Sequence, residues 1–296
     1  MTRIDASSAN LPSAGLSPAD LESLAATAAS LARSVGGVIA SLRQVGVDVA
    51  DTKSSINDVV TAADREAERL IAEGLRIARP DDGILGEEGA SVTGTTGITW
   101  VVDPIDGTVN YLYGLPSYAV TIAATVEDGA PVAAQTGGTH DGRRAIAGAV
   151  YLPVTDELFS AWEGGGAVLD GVPLPGPGRV PLETALVATG FGYTVERRTE
   201  QAEIVRRLIP RVRDIRRLGS AATDLCLVAA GRLDAYYERG LQPWDYAAGA
   251  LIAREAGAIL LGRDDATKPG EPMLIAAAPG LAGELQAEIA DAYAQL

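Results

Sequence analysis

The segment Trp100-Val101-Val102-Asp103-Pro104-Ile105-Asp106-Gly107-Thr108-Val109-Asn110 restricts the fold more than any other part of the chain. A short apolar run that ends on acidic residues reads as a strand delivering carboxylates to the edge of a sheet. Pro104 stiffens the backbone between the two aspartates and holds Asp103 extended, so both carboxylates can face one point. Gly107 and Thr108 then open a turn or helix start, where backbone N–H groups and the Thr108 hydroxyl can hold a phosphate. Hard oxygen ligands beside an anion-binding turn suit Mg²⁺. Two aspartates three apart are ordinarily a capped turn; here the proline and the Gly-Thr continuation favour the metal-and-phosphate reading.

The rest of the chain supplies the elements around that strand. Residues 1–16 lack periodicity and read as a flexible extension. Leu21, Leu24, Ala25, Ala28, Leu31 and Ala32 recur at helical spacing from Ser17 to Gly36 or beyond. A second helix follows Thr61, with the stripe Ala63, Ala67, Leu70, Ile71 and Leu75, and Thr61 with Asp64 resembles a capping box. Ile84-Leu85 and the alternating Val120, Ile122, Ala124 and Val126 are strands. Asp128-Gly129 and Asp141-Gly142 are hairpin signals, so Ser117 to Trp162 reads as an antiparallel meander. Gly164-Gly165-Gly166 and the turn-rich Gly171–Pro181 mark a boundary between an N-terminal half, 17–163, and a C-terminal half, 164–296. The second half alternates strands at Leu186–Ala188, Leu233–Tyr237, Ile259-Leu260 and Met273–Ala277 with helices at Glu196–Leu208, Ala221–Ala230, around Trp244–Ile252 and from Leu281. The class is α/β.

Composition narrows the chemistry. The chain carries 24 Lys+Arg against 39 Asp+Glu, a net charge of −15, which repels nucleic-acid backbones and anionic lipid surfaces. Neither nucleic acid nor membrane is an expected partner, and an anionic substrate would need metal cations. No run of about 18 apolar residues stands out as a membrane span. One cysteine, Cys226, excludes an intrachain disulfide and a thiolate metal cluster, and it lies in an apolar helical stretch where a core position is expected. One histidine, His140, excludes a His-rich metal site and falls in a turn, where exposure is expected. The start of the chain has no signal-peptide pattern, and the expected compartment is the cytoplasm. Neither lysine follows a glycine, so a Walker loop is absent.

Further acidic residues fall at element ends. Gly86-Glu87-Glu88-Gly89 follows a strand and could be a solvated turn; Asp245 opens a helix, where the dipole alone favours it; Asp64 could simply cap its helix. Lys53 by itself would be a surface charge. Jointly, Lys53 with Asp58–Asp64, Gly86-Glu87-Glu88, Asp103–Asn110 and Trp244–Gly249 continuing to Glu255-Ala256-Gly257 form four motifs in one order and spacing. In these the chain resembles the inositol monophosphatase family of magnesium-dependent, lithium-sensitive phosphatases, from about residue 20 to 290. Arg217–Ala222 and Asp234–Glu238 look most like its bacterial inositol-1-monophosphatase branch.

The resemblance implies a layered αβαβα sandwich, commonly a homodimer, with two or three Mg²⁺ ions per active site. It assigns Glu87, Asp103 and the Ile105 carbonyl to one ion, Asp103, Asp106 and Asp245 to a second, and Glu87 with waters to a weaker third. Asp64 and Thr108 would orient and deprotonate the attacking water, and the Gly107 and Thr108 N–H groups would bind phosphate. Glu238 and the Gly219-Ser220-Ala221 backbone would receive sugar hydroxyls, with Lys53 on a loop nearby. The implied reaction is hydrolysis of a small phosphate monoester, inositol-1-phosphate foremost. The same metal core could act on fructose-1,6-bisphosphate, histidinol phosphate or a phosphoadenosine nucleotide. A binding or regulatory protein that keeps the fold without turnover is the alternative of a different class.

Overall fold

The computed structural model describes residues 15–45, 49–52, 59–129 and 137–296; the Lys53 and Asp58 readings and most of the expected N-terminal extension lie outside these. Helix α1 (Pro18–Val45) is followed by the short antiparallel strands β1 (Val49–Thr52) and β2 (Val59–Thr61) and by α2 (Ala62–Ala78). Next come β3 (Gly83–Gly86), β4 (Ser91–Val92), β5 (Thr99–Asp106), the short helix α3 (Thr108–Tyr113) and β6 (Ala119–Glu127). The meander continues through β7 (Arg143–Leu152), β8 (Glu157–Trp162), β9 (Gly166–Leu169) and β10 (Val172–Pro173). Beyond it lie β11 (Leu186–Thr189), α4 (Val195–Leu208), β12 (Asp214–Arg216), α5 (Ala221–Ala229) and β13 (Ala235–Glu238). Helix α6 (Pro243–Glu255), β14 (Ile259–Leu261), β15 (Leu274–Ala277) and α7 (Ala282–Ala294) close the chain. The larger sheet has the order β10-β9-β8-β7-β6-β5-β3-β4, and the smaller β12-β11-β13-β15-β14.

Strand alternation distributes the core between layers. In β5, Trp100 and Val102 pack with α1 and α2, whereas Val101 faces α5 and α6. In the second sheet, Ala188 and Tyr236 face α5 and α6 from the other side, while Val187, Ala235 and Tyr237 pack on α4 and α7. The order is therefore α1/α2, first sheet, α5/α6, second sheet, α4/α7, an αβαβα sandwich. Helices α5 and α6 are buried between two sheets, and their contact is correspondingly tight. A Cβ on Gly249 would lie 2.9 Å from Leu225 Cβ and 3.4 Å from the Ala222 backbone, so only glycine fits without displacement.

Helix α1 runs to Val45 and, on length and composition alone, could cross a membrane, contrary to the expectation that no segment passes that test. Its Leu21, Leu24, Ala28, Ala32, Val35 and Ile39 instead fill the first sheet's outer core. The Gly164–Gly166 run lies within the first sheet, not at its end. Gly164 and Gly166 take left-handed φ angles of 79° and 76° in the turn between β8 and β9, and the chain leaves the sheet only after Pro173. Both Asp-Gly signals belong to one long connection between β6 and β7, closed by the Asp128 N–H donating to the Gly142 carbonyl at 2.7 Å. Cys226 is buried and His140 exposed.

Candidate active site

Asp103 and Asp106 converge because β5 is irregular between them. Their partners on β6 are Thr121 and Ala119, so three steps on one strand oppose two on the other, the signature of a bulge. Strict alternation would send the two carboxylates to opposite faces; the extra residue returns both to the α5/α6 side, with Ile105 turned into the α1/α2 core. Asp103 is 1% exposed, and its Oδ1 accepts the Ile105 N–H at 2.9 Å. Asp106 Oδ2 accepts the Ser220 hydroxyl at 2.6 Å and the Ala222 N–H at 2.7 Å, which ties it to the start of α5.

Asp245 arrives from the opposite side. It sits in the first turn of α6, where its Oδ2 accepts the Gln242 N–H at 2.6 Å. The cap does not exhaust its role: ligand oxygens of Asp103, Asp106 and Asp245 all lie within 4.8 Å of one another. The N-terminal end of α6 is held on the first sheet by Thr121, whose hydroxyl donates to the Trp244 carbonyl at 3.0 Å. Glu87 follows β3, which runs parallel to β5 in the register Gly86 beside Val102, and so stands next to Asp103. Glu68, one turn along α2 from Asp64, fixes this loop by accepting the Glu88 and Ala90 N–H groups, each at 2.7 Å.

Asp64 caps α2 and also reaches Thr108. Its Oδ2 accepts the Thr61 N–H at 2.8 Å and the Thr61 hydroxyl, and its Oδ1 lies 3.1 Å from the Thr108 hydroxyl. That hydroxyl also lies 3.0 Å from the Ile105 carbonyl oxygen. Gly107, with φ 94°, turns the chain between Asp106 and Thr108; a Cβ there would lie 2.9 Å from the Ser117 carbonyl and 3.1 Å from that of Gly219. Asn110 Nδ2 donates to the Ser117 carbonyl at 2.6 Å and the Leu218 carbonyl at 2.7 Å, fastening the two halves at this point.

A cavity of about 360 Å³ opens here, lined by Glu87, Asp106, Gly107 and Asp245 on one side and by Gly219, Ala221 and Glu238 on the other. Glu238 ends β13, and its Oε2 accepts the Tyr236 hydroxyl at 2.7 Å. Of the residues singled out in the sequence, Ser220 turns its hydroxyl onto Asp106 while Gly219 and Ala221 on either side line the cavity, and Lys53 lies outside the described residues. Glu68, Thr121 and the Ser220 hydroxyl act on the site without a motif to announce them. Glu68 alone had a readable signal, its position four residues from Asp64 on the same helical face.

The electrostatics are those of crowded acids. Burial, then Glu87, Asp106 and Asp245, raises Asp103 well above the usual carboxylate range. Burial, then Asp106 and Glu87, does the same to Asp245. Burial pushes Asp106 up to about 6 against the pull of Ser220 and two backbone N–H groups. Burial likewise pushes Asp64 up to about 6 and Glu238 up to about 7. Two unit charges 4.8 Å apart repel by about 3.5 kcal/mol at an effective dielectric of ~20. A divalent cation reverses that sign, and an all-oxygen donor set of this kind fits a hard ion such as Mg²⁺.

Comparison with known proteins agrees with this geometry. Residues 20–295 match the model of the inositol monophosphatase family. The chain is 46% identical over 301 residues to an inositol-1-monophosphatase of Mycobacterium bovis, covering 98% of this chain and 96% of that one. It is 39% identical over 231 residues to the Nus factor SuhB of Escherichia coli, covering 77% and 81%. The crystal structure of extragenic suppressor protein suhB from Bartonella henselae superimposes with a TM-score of 0.80 at 32% identity, covering 90% and 98%.

Proposed function

Since the chain belongs to the inositol monophosphatase family and is a phosphatase, we propose that it hydrolyses inositol-1-phosphate and related polyol phosphates in the presence of Mg²⁺. The observation that supports this most is the meeting of Asp103, Asp106 and Asp245, of which Asp106 and Asp245 line one cavity with Gly107 and Glu238, together with the Asp64–Thr108 pair, whose threonine follows Gly107. Asp103, Asp106 and Asp245 would hold the cations, with Glu87 beside them and the Ile105 carbonyl as a neutral oxygen. Bound Mg²⁺ supplies an acidified water and offsets charge on the leaving oxygen.

The chain's own residues do the rest. The Thr108 hydroxyl and Asp64 carboxylate, 3.1 Å apart, orient the attacking water, and Asp64, at about 6, is matched to accept its proton near neutral pH. The Gly107 turn and the Thr108 N–H receive phosphate oxygens. Glu238, braced by the Tyr236 hydroxyl, accepts hydrogen bonds from ring hydroxyls on the far wall, next to the Gly219–Ala221 backbone. This polar wall favours a polyol over the fructose bisphosphate, histidinol phosphate and phosphoadenosine alternatives.

Phosphate release from these four substrate classes, with and without Mg²⁺, tests the reading. Fastest Mg²⁺-dependent release from inositol-1-phosphate supports it, and a clear preference for another class replaces the substrate. Inhibition by Li⁺, a cytoplasmic location and a homodimer belong to the same reading; inhibition kinetics, fractionation and sedimentation test them. A regulatory role is the second reading, favoured by the name of the Escherichia coli relative. Loss of a cellular phenotype in a chain that keeps full phosphatase activity would separate the two.

A further inference from the structure

We infer that Arg217 is the phosphate-capturing side chain of this site, a guanidinium that meets the substrate phosphate beside the Gly107 turn. The inference rests on the phosphatase reading above and adds a residue to it. Three arginines line the cavity: Arg197, Arg217 and Arg239. Two are committed elsewhere, Arg197 to Glu271 at 3.7 Å and Arg239 to Glu200. Arg217 forms no ion pair among the described residues, although acidic groups surround the cavity.

Its location follows from two glycines. A Cβ on Gly107 would lie 3.1 Å from the Gly219 carbonyl oxygen, so those two backbones touch. A Cβ on Gly219, in turn, would lie 2.4 Å from Arg217 Nη1 and 2.9 Å from Asn110 Nδ2. The guanidinium thus lies against Gly219, whose carbonyl in turn lies beside the Gly107 turn. Its charge reaches inward, lowering Asp106, Glu238 and Asp224 against the burial that raises them. The side chain itself stays exposed at the cavity mouth.

An exposed, unpaired cation there has a use that a buried one would not. On a chain of net charge −15, a phosphate dianion approaching four carboxylates is repelled before it reaches the cation-holding centre. A guanidinium at the mouth offsets that field, and its planar fork matches two phosphate oxygens. The adjacent Arg216 serves as the internal control, because it pairs with Asp214 at 2.6 Å in β12 and does not line the cavity.

The test is calorimetric titration of inorganic phosphate into the full chain with saturating Mg²⁺, alongside KM and kcat for inositol-1-phosphate. Arg217→Gln is expected to weaken phosphate binding and raise KM by about tenfold, the lower end for a charge-assisted contact at an exposed position. Arg217→Lys recovers part of the loss by keeping the charge without the fork, and Arg216→Gln binds phosphate as wild type does. Unchanged phosphate affinity in Arg217→Gln, or an equal loss in Arg216→Gln, overturns the inference. A wild-type chain that binds phosphate through Arg217 yet releases none from any substrate would leave this contact standing and refute the phosphatase reading instead.

Discussion

Asp103→Asn should stabilise the metal-free protein while nearly abolishing its activity. The substitution keeps the acceptor for the Ile105 N–H, 2.9 Å away, and removes one charge from a trio of carboxylates within 4.8 Å. Asp103 takes part in two of the three repulsive pairs, each of about 3.5 kcal/mol at an effective dielectric of ~20. Proton uptake already relieves much of this, since burial and its acidic neighbours hold Asp103 well above the usual range. A residual gain of about 3 kcal/mol converts to a rise in Tm of roughly 5 °C, using ~2.1 cal/mol/K of unfolding entropy per residue over 296 residues. With Mg²⁺ the order reverses: the wild type gains stability from the bound ion and the variant gains far less. Turnover of inositol-1-phosphate should fall at least about a hundredfold, or ~2.7 kcal/mol of transition-state stabilisation. Differential scanning calorimetry in EDTA and in Mg²⁺, paired with phosphate release, reads both effects. A lower Tm in EDTA, or near-normal turnover, would refute the reasoning.

Glu238→Ala should lower kcat/KM for inositol-1-phosphate by about 10- to 100-fold while sparing p-nitrophenyl phosphate, which has no ring hydroxyls to offer; equal losses on both substrates would place Glu238 in support of the fold or the acidic cluster. Asp64→Asn should cost at least about a hundredfold in kcat without a matching rise in KM, because the water-orienting pair with Thr108 is broken while the substrate wall is untouched; steady-state kinetics decide. Metal-free stability should fall as pH rises through about 6, where Asp64 and Asp106 ionise in the folded chain. Both have folded pKa values above the unfolded ones, so the folded form binds more protons and the stability is fully present only below pH ~4, with roughly 3 kcal/mol at stake for each. Denaturant melts in EDTA across this range check the sign, and a stability that climbs with pH would contradict it.

The helices α1 and α2 were legible because each buries one stripe on the first sheet, and the stripe has a helical period. The site's acids were legible for a different reason: Asp103-Pro104-Ile105-Asp106-Gly107-Thr108 packs a bulge, two carboxylates and a left-handed turn into consecutive residues. The layer order was not readable from α5 and α6. Both are buried between two sheets, so they show apolar runs without a stripe to say which sheet they face. Gly164–Gly166 misled because a left-handed turn inside a meander has the same composition as a linker. The hydroxyls of Ser220 and Thr121 and the carboxylate of Glu68 escaped notice since each works through a partner distant in sequence, Asp106, Trp244 and Glu88 respectively. Arg217 was legible only as the start of the Arg217–Ala222 segment, because its place at the cavity mouth depends on packing against Gly219 and not on the residues around it in sequence.

Anomalous diffraction from crystals soaked in Mn²⁺, which takes the same oxygen donors as Mg²⁺ and scatters anomalously, tests most directly whether the carboxylate cluster is a cation centre. Peaks are expected among Asp103, Asp106 and Asp245, with Glu87 as a neighbour, and they should vanish in Asp103→Asn crystals soaked alike. A protein that releases phosphate in Mn²⁺ yet shows its peaks elsewhere, with this cluster empty, would contradict the assignment.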